Sequence, residues 1–323
     1  MITPERNCDV LVAGEYFCDL IFAGLDGVPR LGTEQFASGL SIVPGGTYNM
    51  ALAATRLGLA TRWCSDFGSD IFSAFVLAQA EADGIDPIAF RHVDGPLPRV
   101  SAAFSGQGER GFISHSAAVP RAPDTSCLRL HRPRWLLQTF RFEPDWLEFV
   151  HTVRQQGANV FLDCRGGDFT LETPGVRELI GLADVFSPNA GEAMALAGTQ
   201  SLDQAIVVLS ELVPILLVKR GGEGALLVAD GMRVAHAPPA VEVIDTVGAG
   251  DAFNAGFIHG MINDLGLGTS AHFAVLCGSI STTGPGSRAA PTVAELARLA
   301  AAEMAISDHP FGRERTAATG TIN

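Results

Sequence analysis

From about residue 134 onward, short apolar runs alternate with stretches of helical length, and this alternation narrows the fold more than any other feature of the chain. The runs fall at 135–139, 159–163, 184–186, 215–219 and 241–244. A strand–helix–strand rhythm reads as a parallel sheet with helices on its faces. An earlier run at 9–13 stops at Gly14, as a buried strand would. Helices are expected at about 48–57, ended by Gly58, and from Ser69 to just before Gly84, then at about 251–263, 270–283 and 293–305. Segments 20–43 and 97–117 differ in character, with short β-type stretches broken by Gly and Pro. We expect them to meet as one small β-rich lid on a three-layer α/β/α core with a mainly parallel sheet. Residues 1–306 then make one domain and 307–323 a polar C-terminal tail.

The 323 residues are 47% hydrophobic and 18% charged, enough apolar material for a sizeable core. A net charge of −13 sets the chain against nucleic acid and anionic membrane at long range. It does not exclude a phosphorylated ligand, which backbone dipoles can hold locally. Lys219 is the only lysine among 22 basic residues and sits beside a glycine-rich turn, where it is a candidate phosphate contact. The six cysteines include no CxxC pair and suggest neither a zinc site nor a disulfide framework. Reduced thiols in a cytoplasmic protein are the expectation. No run approaches the roughly 18 apolar residues of a membrane span.

The most informative stretch runs from residue 241 to 257, VEVIDTVGAGDAFNAGF. A strand is expected to lead into a loop of small residues that opens a helix near Asp251. Gly248, Ala249 and Gly250 leave their N–H groups uncovered where the helix dipole favours negative charge, which suits the oxygens of a phosphoryl group in transfer. Asp251 at the edge of this hole reads equally well as a catalytic acid–base group or as a helix N-cap. Against a helix N-terminus it is expected to be a weak base, which phosphoryl transfer tolerates.

Asp245-Thr246-Val247-Gly248-Ala249-Gly250-Asp251, followed by Phe253, Gly256 and Phe257, resembles the signature of the ribokinase-like (PfkB) carbohydrate kinases. The resemblance implies the ribokinase-like fold and an ATP-dependent kinase of small sugars or sugar acids. It implies Asp251 as the base taking the substrate hydroxyl proton, with the preceding amides as anion hole. It also implies Asp245 as part of a site for a monovalent cation such as K+, with Thr246 on the nucleotide side. Gly14 to Asp19 resembles the family's opening strand, whose Asp binds substrate hydroxyls. Pro44-Gly45-Gly46-Thr47-Tyr48-Asn49 is similar to its first signature, although the spacing from the glycine pair to Asn49 is one residue short. Pro188-Asn189-Ala190-Gly191-Glu192 matches P-N-x-x-E, which implies Mg2+ and its waters near Asn189 and Glu192. Lys219 to Gly224 resembles the turn under the nucleotide phosphates, with Lys219, Gly222 and Gly224 as contacts.

Other readings are carried beside this one. Asp19 reads also as a solvated strand end, the glycine pair as a turn, Glu192 as a first-turn helix glutamate, and 218–224 as a plain hairpin. A nucleoside kinase is the nearest alternative, with Phe17, Phe104 and Phe112 as a base-stacking lid. A non-catalytic sugar-binding regulator is the more distant one. Gly106 to Gly111 satisfies G-x-G-x-x-G but lies between β-type runs with no helix after it, so we read it as a lid turn. Val275 stands where many relatives carry a polar adenine contact. Arg165 reads as a carboxylate contact or, by preference, as a strand-end pair. An exposed apolar lid face would favour a homodimer.

Overall fold

The computed structural model describes residues 7–307, except 26, 28, 30, 107, 108, 119 and 120. The end of the proposed C-terminal tail, 308–323, lies outside the described residues.

The chain opens with β1 (Cys8–Ala13), then leaves the core for β2 (Tyr16–Ala23) and β3 (Gly39–Gly46). Helix α1 (Thr47–Arg56) returns it, and β4 (Thr61–Cys64) pairs in parallel with β1. The short β5 (Asp66–Phe67) precedes α2 (Ile71–Ala82), whose first turn is capped by Asp70 accepting from the Phe72 and Ser73 N–H groups. The short β6 (Arg91–His92), β7 (Arg99–Gly106) and β8 (Glu109–Ser116) follow, then α3 (Ser126–Leu130). From there strands and helices alternate: β9 (Pro133–Thr139), α4 (Pro144–Gln155), β10 (Asn159–Asp163), α5 (Val176–Leu182), β11 (Val185–Ser187), α6 (Ala190–Ala197), α7 (Leu202–Ser210) and β12 (Ile215–Lys219). The hairpin β13 (Ala225–Ala229) and β14 (Met232–His236) is followed by α8 (Ala249–Ile262), α9 (Leu267–Ser281) and α10 (Val293–Ser307), the last elements among the described residues.

Eight strands form one sheet in the order β14-β13-β12-β11-β10-β9-β1-β4. It is parallel from β4 to β12 and antiparallel only where the β13–β14 hairpin extends its edge. Side chains alternate between two apolar layers, because successive residues of a strand face opposite ways. Val10, Val12, Leu137, Phe161 and Leu217 pack with α1, α8 and α9 on one face. Leu11, Leu136, Val160, Leu162 and Leu216 pack with helices α4 to α7 on the other. Burial on both faces accounts for the near-continuous apolar runs.

The remaining long strands form a separate sheet, β3-β2-β7-β8, in which β2 pairs antiparallel with β3 and parallel with β7. Segments far apart in sequence thus share one sheet. The Gly106–Gly111 motif spans the β7–β8 connection; Gly106 and Glu109 pair across it, while Gln107 and Gly108 lie outside the described residues.

One expected strand is absent. Residues 241–244 are not in a sheet; the last core strands are β13 and β14 instead. Pro238 and Pro239 supply no N–H donors to a ladder, and Val243 and Ile244 are exposed. The segment runs as a loop held by the Ile244 N–H donating to Thr282 O at 2.8 Å.

Candidate active site

A cleft of about 650 Å³ opens at the C-terminal ends of β10 and β12, where open α/β sheets place their ligands. Strand ends contribute Asp163 and Lys219, and the start of α6 contributes Asn189 and Glu192. Gly222 and Gly224 come from the β12–β13 turn, and Thr246, Ala249, Gly250 and Asp251 from the start of α8. The far wall is less polar, with Val275 and Gly278 of α9, Phe253, and the loop residues Pro239 and Val241.

Gly248 is the N-cap of α8 at φ 78°, a left-handed conformation that glycine tolerates, and a Cβ there would stand 3.1 Å from Ser287. No side chain caps this helix and the Ala249 N–H donates to Thr246 O at 3.3 Å, so the Gly250 and Asp251 N–H groups are the ones left to the cleft. Asp251 is therefore the third helical residue; the N-cap reading is set aside. Asp245 clamps the loop, its Oδ1 accepting from the Val247 N–H at 3.1 Å and its Oδ2 from the Gly286 N–H at 2.9 Å.

The expectation of a weak base is also reversed. Burial, and after it the Asp163 charge, raise the Asp251 pKa to about 7 against the opposing effects of the Lys219 charge and the Asn49 amide. Desolvation and a neighbouring carboxylate outweigh the helix terminus here.

Asn189 and Glu192 form a capping box on α6: Asn189 Oδ1 accepts from the Glu192 N–H and Glu192 Oε2 from the Asn189 N–H, each at 2.8 Å. The structural role of this pair is thus realised, yet both residues also line the cleft. Burial raises the Glu192 pKa, against the Asn189 N–H bond and the Lys219 charge. Among the described residues no group of three His, Cys, Asp or Glu could hold a metal ion. Mg2+ does not demand one, because it keeps several waters and binds through one or two carboxylates plus phosphate oxygens. Glu192 with Asn189 fits that pattern.

Lys219 ends β12 on the cleft wall, with its Nζ 2.5 Å from Asp163 Oδ1. The same Nζ lies 3.7 Å from where a Cβ on Gly250 would stand. Gly224 sits at φ 78° with His236 O against it, so that any side chain would collide.

The acceptor-side candidates form a second group. Asp19 on β2 pairs with Val43 on β3, and its carboxylate lies against Gly45 two residues along, where a Cβ would strike it. Burial lifts the Asp19 pKa to about 6. Gly46, at φ 65°, is the N-cap of α1 and is pressed on Glu15 O. Asn49 in the same helix is 7% exposed, and its amide acts on the Asp251 carboxylate to lower its pKa, which joins this group to the cleft. By strand register Phe17 and Phe112 share the Asp19 face, whereas Phe104 packs over Gly111 on the opposite one. The three phenylalanines therefore do not form one stacking surface. Arg165 donates its Nε–H to Phe140 O at 3.1 Å, a strand-end bond, and its side chain is otherwise exposed.

Two features escaped the sequence. Asp163 was readable only as a strand-end residue, although a carboxylate closing a parallel strand on the cleft side is a usable signal. Residues 241–244 were taken for a strand, and the loop that holds them, from Pro238 to Val243, walls the cleft instead. Among the described residues no helix is long and apolar enough to cross a membrane.

Comparison with known proteins agrees with this geometry. The family model described as pfkB family carbohydrate kinase matches residues 25–293. A ribokinase of Arabidopsis thaliana is 26% identical over 272 residues, covering 78% of this chain and 70% of the relative. A 2-dehydro-3-deoxygluconokinase of Bacillus subtilis is 25% identical over 313 residues, covering 84% and 90%. The solved structure of the Arabidopsis thaliana ribokinase with ribose and ATP superimposes with a TM-score of 0.79 at 23% identity, over 91% of this chain and 99% of that one. With the ribokinase-like fold and a family match over most of its length, the chain belongs to the pfkB family of carbohydrate kinases and is an enzyme of that class.

Proposed function

We propose that the protein transfers the γ-phosphate of ATP to a hydroxyl of a small sugar or sugar acid, with Asp251 as base and the amides of residues 248–251 as anion hole. The observation that carries this is a carboxylate with a pKa of about 7 beside the uncapped start of α8. A base poised near neutral pH is matched to accepting a hydroxyl proton. The acceptor would lie between Asp19 and Asn49, which hold it by its other hydroxyls, with Gly45 and Gly46 leaving room for a close approach. The Asp251 carboxylate takes the proton as the hydroxyl oxygen attacks phosphorus and the β–γ bridge oxygen leaves. Amides of the α8 turn accept the negative charge of the phosphoryl oxygens in place. Gly222 and Gly224 would follow the phosphate chain, Thr246 would bond it, and Val275 would offer an apolar wall to the adenine. Mg2+ held through Glu192 and Asn189 would neutralise phosphate charge. Both Asp245 oxygens already accept backbone N–H groups; a monovalent cation such as K+ would share their remaining lone pairs with loop carbonyls.

A sugar-acid acceptor has one specific observation in its favour. The Arg165 guanidinium is exposed with its Nε–H alone bonded, whereas neighbouring Arg141 is paired with Glu15. The 2-dehydro-3-deoxygluconokinase among the relatives supports the same class. ADP release measured against a panel of pentoses, hexoses, sugar acids and nucleosides tests the proposal. Turnover with a sugar or sugar acid supports it, and turnover with nucleosides alone replaces the acceptor class.

A further inference from the structure

The Asp163–Lys219 pair is an unusual strand-end contact. The two residues close β10 and β12, and β11 lies between them in the sheet. The pair thus bridges two strand spacings, about 9.6 Å, across the end of β11. Ser187 stands in register with Asp163 at that crossing, fully buried and small enough to let the side chains meet above it. Both partners are shielded, with side chains 16% and 14% exposed. The ammonium ends beside Gly250 in the turn that carries Asp251. A lysine stem is flexible, and an ammonium is a point charge without the fixed fork of arginine. Its placement at this turn therefore depends on a partner.

We infer that Asp163 is a positioning residue for phosphoryl transfer, holding the Lys219 ammonium against the Gly250 turn so that the incoming phosphate meets it beside Asp251. The inference rests on the proposed kinase site and adds a residue to it. The groups facing Asp251 are Lys219 from β12, Asp163 from β10 and Asn49 from α1, with Glu192 of α6 on the same cleft. The two members of the pair act on the Asp251 carboxylate with opposite signs. Asp163 disfavours its ionised form and Lys219 favours it. That signature reports that both charges face Asp251, and the kcat cycle separates positioning of the lysine from a mere stiffening of the strand ends.

The test compares Asp163→Asn, Lys219→Met and the double variant, following kcat, KM for ATP and the pH profile of kcat. In Asp163→Asn the carboxylate loses a like charge, so the acid limb should move down by about one pH unit. In Lys219→Met it loses an opposite charge, and the limb should move up by about as much. Loss of the ammonium should cost about 10²-fold in kcat, and its misplacement in Asp163→Asn about 10-fold. The double variant should be no slower than Lys219→Met, because Asp163 acts through the lysine. It also leaves neither member of the pair as a buried charge without its partner, so it keeps the experiment readable if one single variant fails to fold; an acid limb close to that of the unmutated enzyme is then expected. Losses that multiply in the double variant overturn the inference, as do acid limbs that move the same way in both single variants or a shifted limb in the double. The kcat cycle reads Asp163 against Lys219 whichever group takes the proton. A flat pH profile in the unmutated enzyme would instead strike the assignment of Asp251 and leave the cycle to decide the pair.

Discussion

Asp251→Asn separates a catalytic carboxylate from a structural one, because the two roles predict opposite changes in stability. The substitution keeps the shape of the side chain and removes its charge. As a general base Asp251 should contribute about 10²–10⁴-fold, so kcat should fall by at least about two orders of magnitude with a smaller change in KM. For stability, the folded pKa of about 7 stands above the ordinary value of 3.8. A carboxylate raised in this way makes the folded state bind more protons than the unfolded one between those two values. The folded protein therefore loses stability as pH rises through that window, and the loss is complete above about pH 7. Asparagine carries no such penalty. The shift from 3.8 to about 7 sets a ceiling near 4 kcal/mol. Solvent reaching the partly exposed carboxylate reduces the expected gain to about 1–2 kcal/mol. At pH 8 the variant should thus melt a few degrees above the unmutated protein, and the difference should shrink towards pH 5. The assays are a coupled ADP-release measurement at saturating acceptor and thermal melts at the two pH values. Near-normal kcat in the folded, saturated variant would refute the base assignment. A melting difference that does not depend on pH would refute the buried-charge reasoning.

Glu192→Gln keeps the capping box of α6, since the amide oxygen can still accept from the Asn189 N–H, but it removes the charge offered to Mg2+. The Mg2+ dependence of turnover should shift to higher concentration by about 10-fold with acceptor affinity unchanged, and an unchanged titration removes Glu192 from the site. Asp245→Asn can keep only one of two backbone N–H bonds, so the loop before α8 should loosen by about 1–2 kcal/mol. A lower Tm with altered K+ dependence is expected, and an unchanged melt would show that the clamp does not hold the loop. On the lid, Leu40, Ile42 and Ile113 are 57%, 48% and 69% exposed and share one face by register. A homodimer through that face is expected, with Ile42→Asp shifting it to monomer by light scattering; a monomeric mass for the unmutated protein excludes it.

The parallel core was legible because strands buried on both faces are written as apolar runs, and 159–163 and 215–219 coincide with β10 and β12. The edge of the sheet was not. The hairpin β13–β14 turns at Asp230–Gly231, both with positive φ of 50° and 73°, the Asp-Gly pair that such two-residue turns favour. That signal stood in the sequence and was overlooked beside the more conspicuous run at 241–244, whose apolar residues serve the cleft wall rather than a strand. In the site, the glycines and Asp251 could be found from local spacing because one turn contains them. The pairing of Asp163 with Lys219 could not, since the two lie 56 residues apart and only the strand order brings them together. The pKa of Asp251 was likewise out of reach, because the helix terminus is a local feature while burial and Asp163 are not.

The shielded position of Lys219 has a practical consequence, because it is the chain's single lysine. Apart from the α-amino terminus, the protein offers amine-directed reagents one target. That target is buried against a carboxylate that keeps it protonated and unreactive. Slow acylation of this residue, followed by mass spectrometry of one peptide, becomes an occupancy gauge. A nucleotide seated over the turn should slow it further, whereas Asp163→Asn should quicken it. The cleft can be interrogated this way before any acceptor has been identified.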